Sequence, residues 1–247
     1  MTDDKNIRLA IIGLGHIGGI HIEALSRLPN FDLVVVCDNS IERHPSVPSE
    51  VPHFSCHREM LDRGGFETTI IATPNNTHHD FSVAALQAGF NVIVEKPAGN
   101  NQEELRLLEL EARKNKKHVY YAFHAAMAEE VLWISAHLQE REREFGPLTA
   151  FVSKFHDPYL NPEDGLATQS PNLDNCWRDS GVNALSVLDR FLDLNSLRIA
   201  DQRLNLGHSK DSFGFHNVGV HYHFPVGEKN TAGLGILETS WDRGLNY

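Results

Sequence analysis

The sequence predicts an α/β protein with an N-terminal doubly wound domain built on a parallel sheet and a C-terminal α+β domain with a mainly antiparallel sheet. Three observations predict this fold class. Short apolar segments alternate with helical patterns through roughly the first 120 residues. A glycine-rich turn joins the first apolar segment to the first helical one. Near the end of the chain, three strand-like segments follow one another without helices between them.

The first domain is predicted over residues 1–122. Its first two strands are continuous apolar runs, which are typical of parallel strands covered on both faces. The predicted strands are Ile7–Ile12, Leu33–Cys37, His53–Ser55, Thr68–Ala72, Asn91–Glu95 and His118–Ala122. The predicted helices are Ile17–Leu28, Glu59–Arg63, Thr77–Ala88 and Gln102–Lys114. The alternation of strands and helices predicts crossover connections on both faces of one sheet.

The second domain is predicted over residues 123–247. It begins with a long charged helix, continues into a strand, and places a second helix after a loop rich in Asn, Pro, Asp and Gly. The helices are predicted at Glu129–Arg143 and Val182–Leu192, and the strands at Leu148–Phe155, Ser196–Leu206, His216–Phe224 and Thr231–Thr239. Successive strands without intervening helices favour antiparallel pairing.

Composition excludes several classes of function. The net charge of −11 leaves no electrostatic basis for binding nucleic acid or an anionic membrane. The first residues lack the pattern of a signal peptide, and no apolar run is long enough to cross a bilayer. The three cysteines are far apart, and the 15 histidines form no metal-binding motif. We therefore expect a cytoplasmic protein without disulfides or a metal.

The glycine-rich turn predicts a dinucleotide site. Gly13, Gly15 and Gly18 form a G-x-G-x-x-G pattern that follows a strand and opens a helix. The first glycine permits the tight turn, the second permits close approach of a pyrophosphate, and the third permits close packing of helix on strand. His16 and Ile17, at the start of the helix, are counted with Gly13 and Gly15 among the cofactor-binding residues. This is the pattern of a Rossmann domain.

An acidic residue supports NAD as the cofactor. Asp38 stands at the end of the second predicted strand, where a carboxylate binds the ribose hydroxyls and repels a 2′-phosphate. Arg43 lies close enough in sequence to leave NADP as an alternative.

Three further motifs carry a resemblance to a known family. Ala72–His78 reads Ala-Thr-Pro-Asn-Asn-Thr-His and follows the fourth strand, Glu95–Pro97 reads Glu-Lys-Pro and follows the fifth, and Asp179–Asn183 begins the second helix of the C-terminal domain. Together with the glycine loop, they make the chain resemble the Gfo/Idh/MocA (glucose–fructose oxidoreductase/inositol dehydrogenase) family of NAD(P)-dependent oxidoreductases. The resemblance implies a nucleotide-binding Rossmann domain followed by a substrate domain.

The resemblance also assigns roles to residues. It implies that Thr73, Pro74, Asn75 and His78 line the dinucleotide and that Glu95 lies beside it. It makes Lys96 a catalytic residue that reaches both the nicotinamide ribose and the substrate. The ends of parallel strands, where these residues stand, are where α/β sheets bind ligands.

The helix motif departs from the family's common pattern D-x-G-x-H-x-x-D. Asn183 stands where the histidine is expected, and Ser186 replaces the final aspartate. An asparagine can orient a substrate by hydrogen bonds but cannot exchange a proton. The motif is similar to that of bacterial aldose 1-dehydrogenases that act on D-galactose and L-arabinose, which implies that Lys96, Asp179 and Asn183 hold the C1 region of a sugar.

The resulting hypothesis is oxidation of an aldose to its lactone by hydride transfer from C1. Asp179 is the preferred general base, and Lys96 would polarise the C1 oxygen. Asp179 could instead be only a helix cap. Weaker candidates for contact with the sugar are His124, Asp157, Trp177 and Trp241, where the two tryptophans could stack on a pyranose.

Two alternatives stay open at this stage. The chain could be another oxidoreductase of the family, acting on an inositol, a dihydrodiol or an amino sugar, or it could be a dinucleotide-binding regulator without catalysis. The expected partner is a small sugar. Because family members usually run some tens of residues longer, we expect the C-terminal domain to be truncated. A homodimer through the C-terminal sheet is also expected.

Overall fold

The computed structural model describes residues 6–40, 45–157, 159, 175–206, 215–227 and 231–241. The chain divides into two compact units, Met1–Ala122 and Phe123–Tyr247. The predicted fold class is confirmed, because the first unit is built on a parallel sheet with helices and the second on a separate sheet with helices.

The first unit contains a six-stranded parallel sheet in the order β3-β2-β1-β4-β5-β6. Its strands are β1 Ile7–Ile12, β2 Phe31–Cys37, β3 His53–Phe54, β4 Thr68–Ile71, β5 Asn91–Val94 and β6 Val119–Tyr121. The chain runs outward from β1 to β3 and then returns to β4 on the other side of β1. This reversal creates a topological switch point between β1 and β4, where open α/β sheets bind ligands at the carboxyl ends of the strands.

Helices cover both faces of this sheet. They are α1 His16–Leu25, α2 His57–Arg63, α3 His78–Gln87 and α4 Gln102–Lys114. Alternate residues of β1 show the two faces: Ala10 and Ile12 belong to one buried cluster, whereas Leu9 and Ile11 belong to another. Residues of α2, α3 and α4 pack in the first cluster, and Ile22 of α1 packs in the second. Burial on both faces explains why these strands read as continuous apolar runs.

The second unit contains a four-stranded sheet in the order β7-β10-β9-β8. The strands are β7 Ala150–His156, β8 Arg198–Leu206, β9 Phe215–Val226 and β10 Thr231–Ser240. β9 pairs antiparallel with both β8 and β10, whereas β7 pairs parallel with β10. The sheet is therefore mixed. It is mainly antiparallel, as the sequence predicts.

Two helices accompany this sheet, α5 Glu129–Phe145 and α6 Val182–Leu188. A π-helical turn, Trp177–Gly181, leads directly into α6. Ala184 and Leu188 of α6 pack with residues of β9 and β10 in the core of the unit. The predicted end of this helix at Leu192 is wrong, because the regular helix ends at Leu188 and the chain turns after it.

None of the helices in the described ranges is long and apolar enough to span a bilayer.

Candidate active site

The glycine loop between β1 and α1 has the shape that a dinucleotide pyrophosphate requires. Gly13 has a φ of +96°, and a Cβ added to it would lie 2.5 Å from the carbonyl oxygen of Ala72. A Cβ on Gly18 would overlap the carbonyl oxygen of Gly13. At Gly15, which precedes α1, no atom lies within 4 Å of an added Cβ. The loop is therefore closed on the protein side and open at Gly15, beside the N-terminal amides of α1, and it fits a bound pyrophosphate.

Asp38 is fixed against this loop. Its Oδ2 accepts a hydrogen bond from the backbone amide of Leu14 at 2.6 Å, and its Oδ1 accepts one from the amide of Ser40 at 2.7 Å. A carboxylate offers about four lone-pair sites, so both oxygens keep capacity for ribose hydroxyls. The position fits the ribose of NAD. Arg43, which would favour NADP, lies outside the described residues.

Replacing Asp38 with alanine is expected to weaken NAD binding about 10-fold or more, because charge-assisted hydrogen bonds contribute roughly 1.5–3 kcal/mol each. NADPH should lose less affinity than NADH, because the carboxylate that repels a 2′-phosphate is gone. Fluorescence titration with both reduced cofactors measures this. Asp32→Ala, at the opposite end of β2, is the matched control, and equal losses for NADH and NADPH would contradict the assignment.

The loops that follow β4 and β5 are joined by buried polar contacts. Thr73 and Thr77 share a hydrogen bond between their hydroxyls at 2.8 Å. His78 is 1% exposed, and its Nε2 lies 2.7 Å from the carbonyl oxygen of Thr73. Its Nδ1 lies 2.8 Å from the carbonyl oxygen of Pro97. The predicted cofactor-lining loop is thus linked through His78 to the loop that carries Lys96.

The remaining predicted residues of this unit lie beside these loops. Pro74 is exposed, Asn75 begins a short 3-10 turn, and Lys96 is half-buried. Glu95 is 5% exposed, and its Oε1 lies 2.8 Å from Nε2 of His21 in α1. No role was predicted for His21 from the sequence.

In the second unit, Asp179 and Asn183 are both buried, at 1% and 4% exposure. Asp179 lies in the π-helical turn and Asn183 in the first turn of α6. The amides at the start of this turn are satisfied by Asn175, whose Oδ1 accepts hydrogen bonds from the amides of Trp177 and Arg178. Asp179 is therefore not needed as the cap. Within the described part of the chain, Asn183 Oδ1 is buried without a hydrogen-bond partner.

Asp157 belongs to a chain of hydrogen bonds in the second unit. Its Oδ2 accepts from the hydroxyl of Ser180 at 2.5 Å, and Ser180 Oγ accepts from Nε1 of Trp241 at 3.1 Å. Its own amide donates to the carbonyl oxygen of Ser240 at 2.8 Å. The Asp157 carboxylate is thus held by Ser180 and its backbone by Ser240. Sequence reasoning missed Ser180 although it stands inside the Asp-x-Gly motif.

Tyr159 is a second residue that sequence reasoning missed. Burial, with the nearby carboxylates of Asp157 and Asp179 acting in the same direction, raises the pKa of its phenol to about 12. Its ring packs edge-on against Trp241 with centroids 5.8 Å apart. At neutral pH the phenol therefore keeps its proton. No local pattern in the loop that contains it could have indicated this contact.

The weaker candidates separate into two groups. His124 is exposed, in a short 3-10 turn at the start of the second unit, and Trp177 is half-buried against Gly181. Trp241 is only 3% exposed and packs in the core. The expectation that Trp241 offers a stacking face is not favoured by this burial. Among the described residues, no group of three His, Cys, Asp or Glu side chains is arranged to hold a metal ion.

Replacing Trp241 with phenylalanine removes the donor to Ser180 but keeps an aromatic ring. If Asp157 binds the substrate, KM for the sugar should rise about 2- to 10-fold, since one neutral hydrogen bond contributes about 0.5–1.5 kcal/mol. Steady-state kinetics measure this, with Trp133→Phe, an exposed tryptophan of α5, as the control. An unchanged KM would mean that the orientation of Asp157 does not matter for the substrate.

The comparisons with known proteins agree with this geometry. The Gfo/Idh/MocA model, described as an oxidoreductase family with an NAD-binding Rossmann fold, matches residues 7–123. The match covers nearly all of the first unit, which is therefore similar to the NAD-binding Rossmann domain of that family.

Two curated relatives show the range of proteins that the first unit resembles. An inositol 2-dehydrogenase of Leifsonia xyli subsp. xyli is 30% identical over 127 residues, which is 50% of this chain and 38% of that protein. A D-glucoside 3-dehydrogenase of Escherichia coli is 29% identical over 126 residues, which is 49% of this chain and 36% of that protein. The matches therefore span well under two thirds of the length of these relatives. Neither bears the name of an aldose 1-dehydrogenase, so the narrower resemblance is not confirmed.

A solved structure shows the same fold over nearly the whole chain. GenD2 from gentamicin A biosynthesis, in complex with NAD, has a TM-score of 0.80 and 19% sequence identity. The match covers 96% of this chain and 66% of GenD2.

Proposed function

We propose that the protein is an NAD-dependent oxidoreductase that acts on a CH–OH group of a neutral, polyhydroxylated sugar. The favoured substrate is an aldose such as D-galactose or L-arabinose, oxidised at C1 to its lactone. The observation that carries the proposal is the buried pair of Asp179 and Asn183. A buried amide oxygen without a partner is costly unless a ligand supplies a donor, and a sugar hydroxyl is such a donor.

The proposed reaction removes a hydride from C1 and a proton from the C1 hydroxyl. NAD, which the glycine loop and Asp38 would hold, would supply the acceptor for that hydride. Asp179 accepts the proton as general base, a role that a positioned carboxylate can take. Asn183 accepts a hydrogen bond from a sugar hydroxyl but does not exchange protons.

The first unit supplies the positive charge that the proposal needs. Lys96 stabilises the negative charge that develops on the substrate oxygen as the proton leaves. Asp157, held by Ser180, accepts a further hydroxyl of the sugar. These side chains act through hydrogen bonds or charge, and together they bind, orient and deprotonate the substrate.

An inositol is the second candidate substrate. It is favoured by the Leifsonia relative, whose name is inositol 2-dehydrogenase. The residue at position 183 argues against it, because this chain has an asparagine where the family's common helix motif has a histidine. An aldose therefore stays the first choice.

A panel assay tests the proposal. Absorbance of reduced nicotinamide would be followed with NAD or NADP and with D-galactose, L-arabinose, D-glucose, myo-inositol and scyllo-inositol. Reduction of NAD by an aldose is the expected result. Reduction by an inositol alone would replace the aldose assignment, and failure of every substrate despite measurable NAD binding would contradict the proposed activity.

A further inference from the structure

Lys96 stands between two residues whose positions are fixed by histidines. On one side, the carboxylate of Glu95 is hydrogen-bonded to His21. On the other side, the carbonyl oxygen of Pro97 is hydrogen-bonded to His78. The two histidines come from different helices, α1 and α3. Both belong to the first unit, so the arrangement is complete within it.

The contact of His21 links the lysine segment to the helix that follows the glycine loop. Its Nε2 lies 2.8 Å from Oε1 of Glu95, which is 5% exposed. His21 is in the second turn of α1, whose first turn begins directly after Gly15. A rigid helix one and a half turns long therefore separates the predicted pyrophosphate site from this contact.

The contact of His78 links the same segment to the Thr73 loop. The ring is 1% exposed, and its two nitrogens face two carbonyl oxygens, that of Thr73 at 2.7 Å and that of Pro97 at 2.8 Å. A ring with protons on both nitrogens donates to both carbonyls, and either neutral tautomer donates to one of them. A planar imidazole spans the two loops, whereas a flexible amide reaches only one side.

We propose that His21 and His78 are positioning residues that together fix the Lys96 backbone relative to the glycine-loop helix and the Thr73 loop. Neither is a catalytic residue, because neither is assigned a contact with the substrate. The inference rests on the proposed role of Lys96 and extends it. It explains why two buried or half-buried histidines stand near the ends of β4 and β5 without a metal or proton-transfer role.

The arrangement predicts which half of the cofactor depends on the histidines. ADP occupies the glycine loop and Asp38, so its binding does not need the lysine segment. NAD additionally places its nicotinamide ribose near Thr73 and Lys96 by the family resemblance. Loss of either histidine should therefore weaken NAD binding but not ADP binding.

The test compares four variants with the parent enzyme. His21→Leu removes the bond to Glu95, and His21→Gln restores a donor. His78→Gln keeps a donor for one carbonyl only. His118→Gln, an exposed histidine ahead of β6, is the control. We expect His21→Leu and His78→Gln to lower kcat about 10- to 100-fold, as small displacements of a catalytic group do. We expect His21→Gln to recover part of the loss.

Three readouts separate positioning from a general role in folding. Kd for ADP should stay within about two-fold of the parent value while Kd for NAD rises. In a Lys96→Met background, adding His78→Gln should lower the remaining rate by about two-fold or less, because the two changes act through one group. Equal losses of ADP and NAD affinity, or full additivity with Lys96→Met, would overturn the inference.

The binding measurements also separate this inference from the proposed function. If no sugar or inositol is turned over by the parent, the proposed activity fails, but the ratio of NAD to ADP affinity still tests the histidines. If His78→Gln does not fold, His21→Leu decides the matter, because the His21 side chain is 23% exposed. An unchanged NAD-to-ADP ratio in His21→Leu would then overturn the inference.

Discussion

Replacement of Asp179 by asparagine is expected to lower kcat for the preferred aldose about 100- to 10,000-fold, the range that a general base contributes. The side chain is 1% exposed, and asparagine has nearly the same size, so the fold should be kept. The change removes the only role that the proposal gives to this carboxylate, which is to accept the proton of the C1 hydroxyl. Steady-state kinetics with saturating NAD measure the effect.

Two further variants make this result interpretable. Asp189→Asn changes an exposed aspartate at the end of α6 and should leave kcat unchanged. Asn183→Ala should reduce kcat less than Asp179→Asn does, because Asn183 only orients the sugar. Activity of Asp179→Asn equal to that of the parent would exclude Asp179 as the base.

The second large effect is expected at the glycine loop, where two similar changes should act differently. Gly15→Ala should fold normally, because the added Cβ meets no protein atom within 4 Å, yet weaken NAD binding on the order of ten-fold or more by occupying the space of the pyrophosphate. Gly18→Ala should destabilise the protein by about 1–3 kcal/mol, because its Cβ would overlap the carbonyl oxygen of Gly13.

Thermal unfolding and NADH fluorescence titration distinguish the two effects. Gly219→Ala in β9 is the control, because its Cβ also meets no atom within 4 Å and lies in the second unit. A Gly15→Ala variant that binds NADH as tightly as the parent would show that the pyrophosphate does not approach this loop. A Gly18→Ala variant of parental stability would contradict the packing of α1 on β1.

Local sequence patterns predict the first unit well for physical reasons. The segments Leu9–Ile12 of β1 and Val35–Cys37 of β2 are buried on both faces, so they are apolar without interruption. Gly13 and Gly18 are required by close backbone contacts that leave no room for a side chain. Asp38 is predictable because its role depends on its position at the end of β2. These features depend on residues close together in sequence, so they can be identified without knowledge of tertiary contacts.

The second unit is predicted less completely because its contacts are long-range. The parallel pairing of β7 with β10 joins segments that are more than 70 residues apart, and no turn residue indicates it. The end of α6 at Leu188 was missed because Leu192 continues the helical spacing of apolar residues set by Val182, Leu185 and Leu188.

The same reason limits prediction of the candidate site. Lys96, Asp179 and Asn183 stand in recognisable sequence motifs, so they could be named from the sequence. The residues that form hydrogen bonds with the polar groups of the site could not be predicted. His78 contacts the carbonyl oxygen of Pro97, 19 residues away, and Ser180 donates to Asp157, 23 residues away. Such contacts depend on how elements fold together rather than on spacing along the chain.

Transfer of deuterium from a C1-deuterated aldose tests the central claim most directly. The protein would be incubated with NAD and D-galactose or L-arabinose labelled at C1, and the reduced cofactor would be analysed by mass spectrometry. The account predicts one deuterium in the reduced nicotinamide and a lactone or its hydrolysed acid as product. Reduced cofactor without deuterium would show that the hydride leaves another carbon and would contradict oxidation at C1.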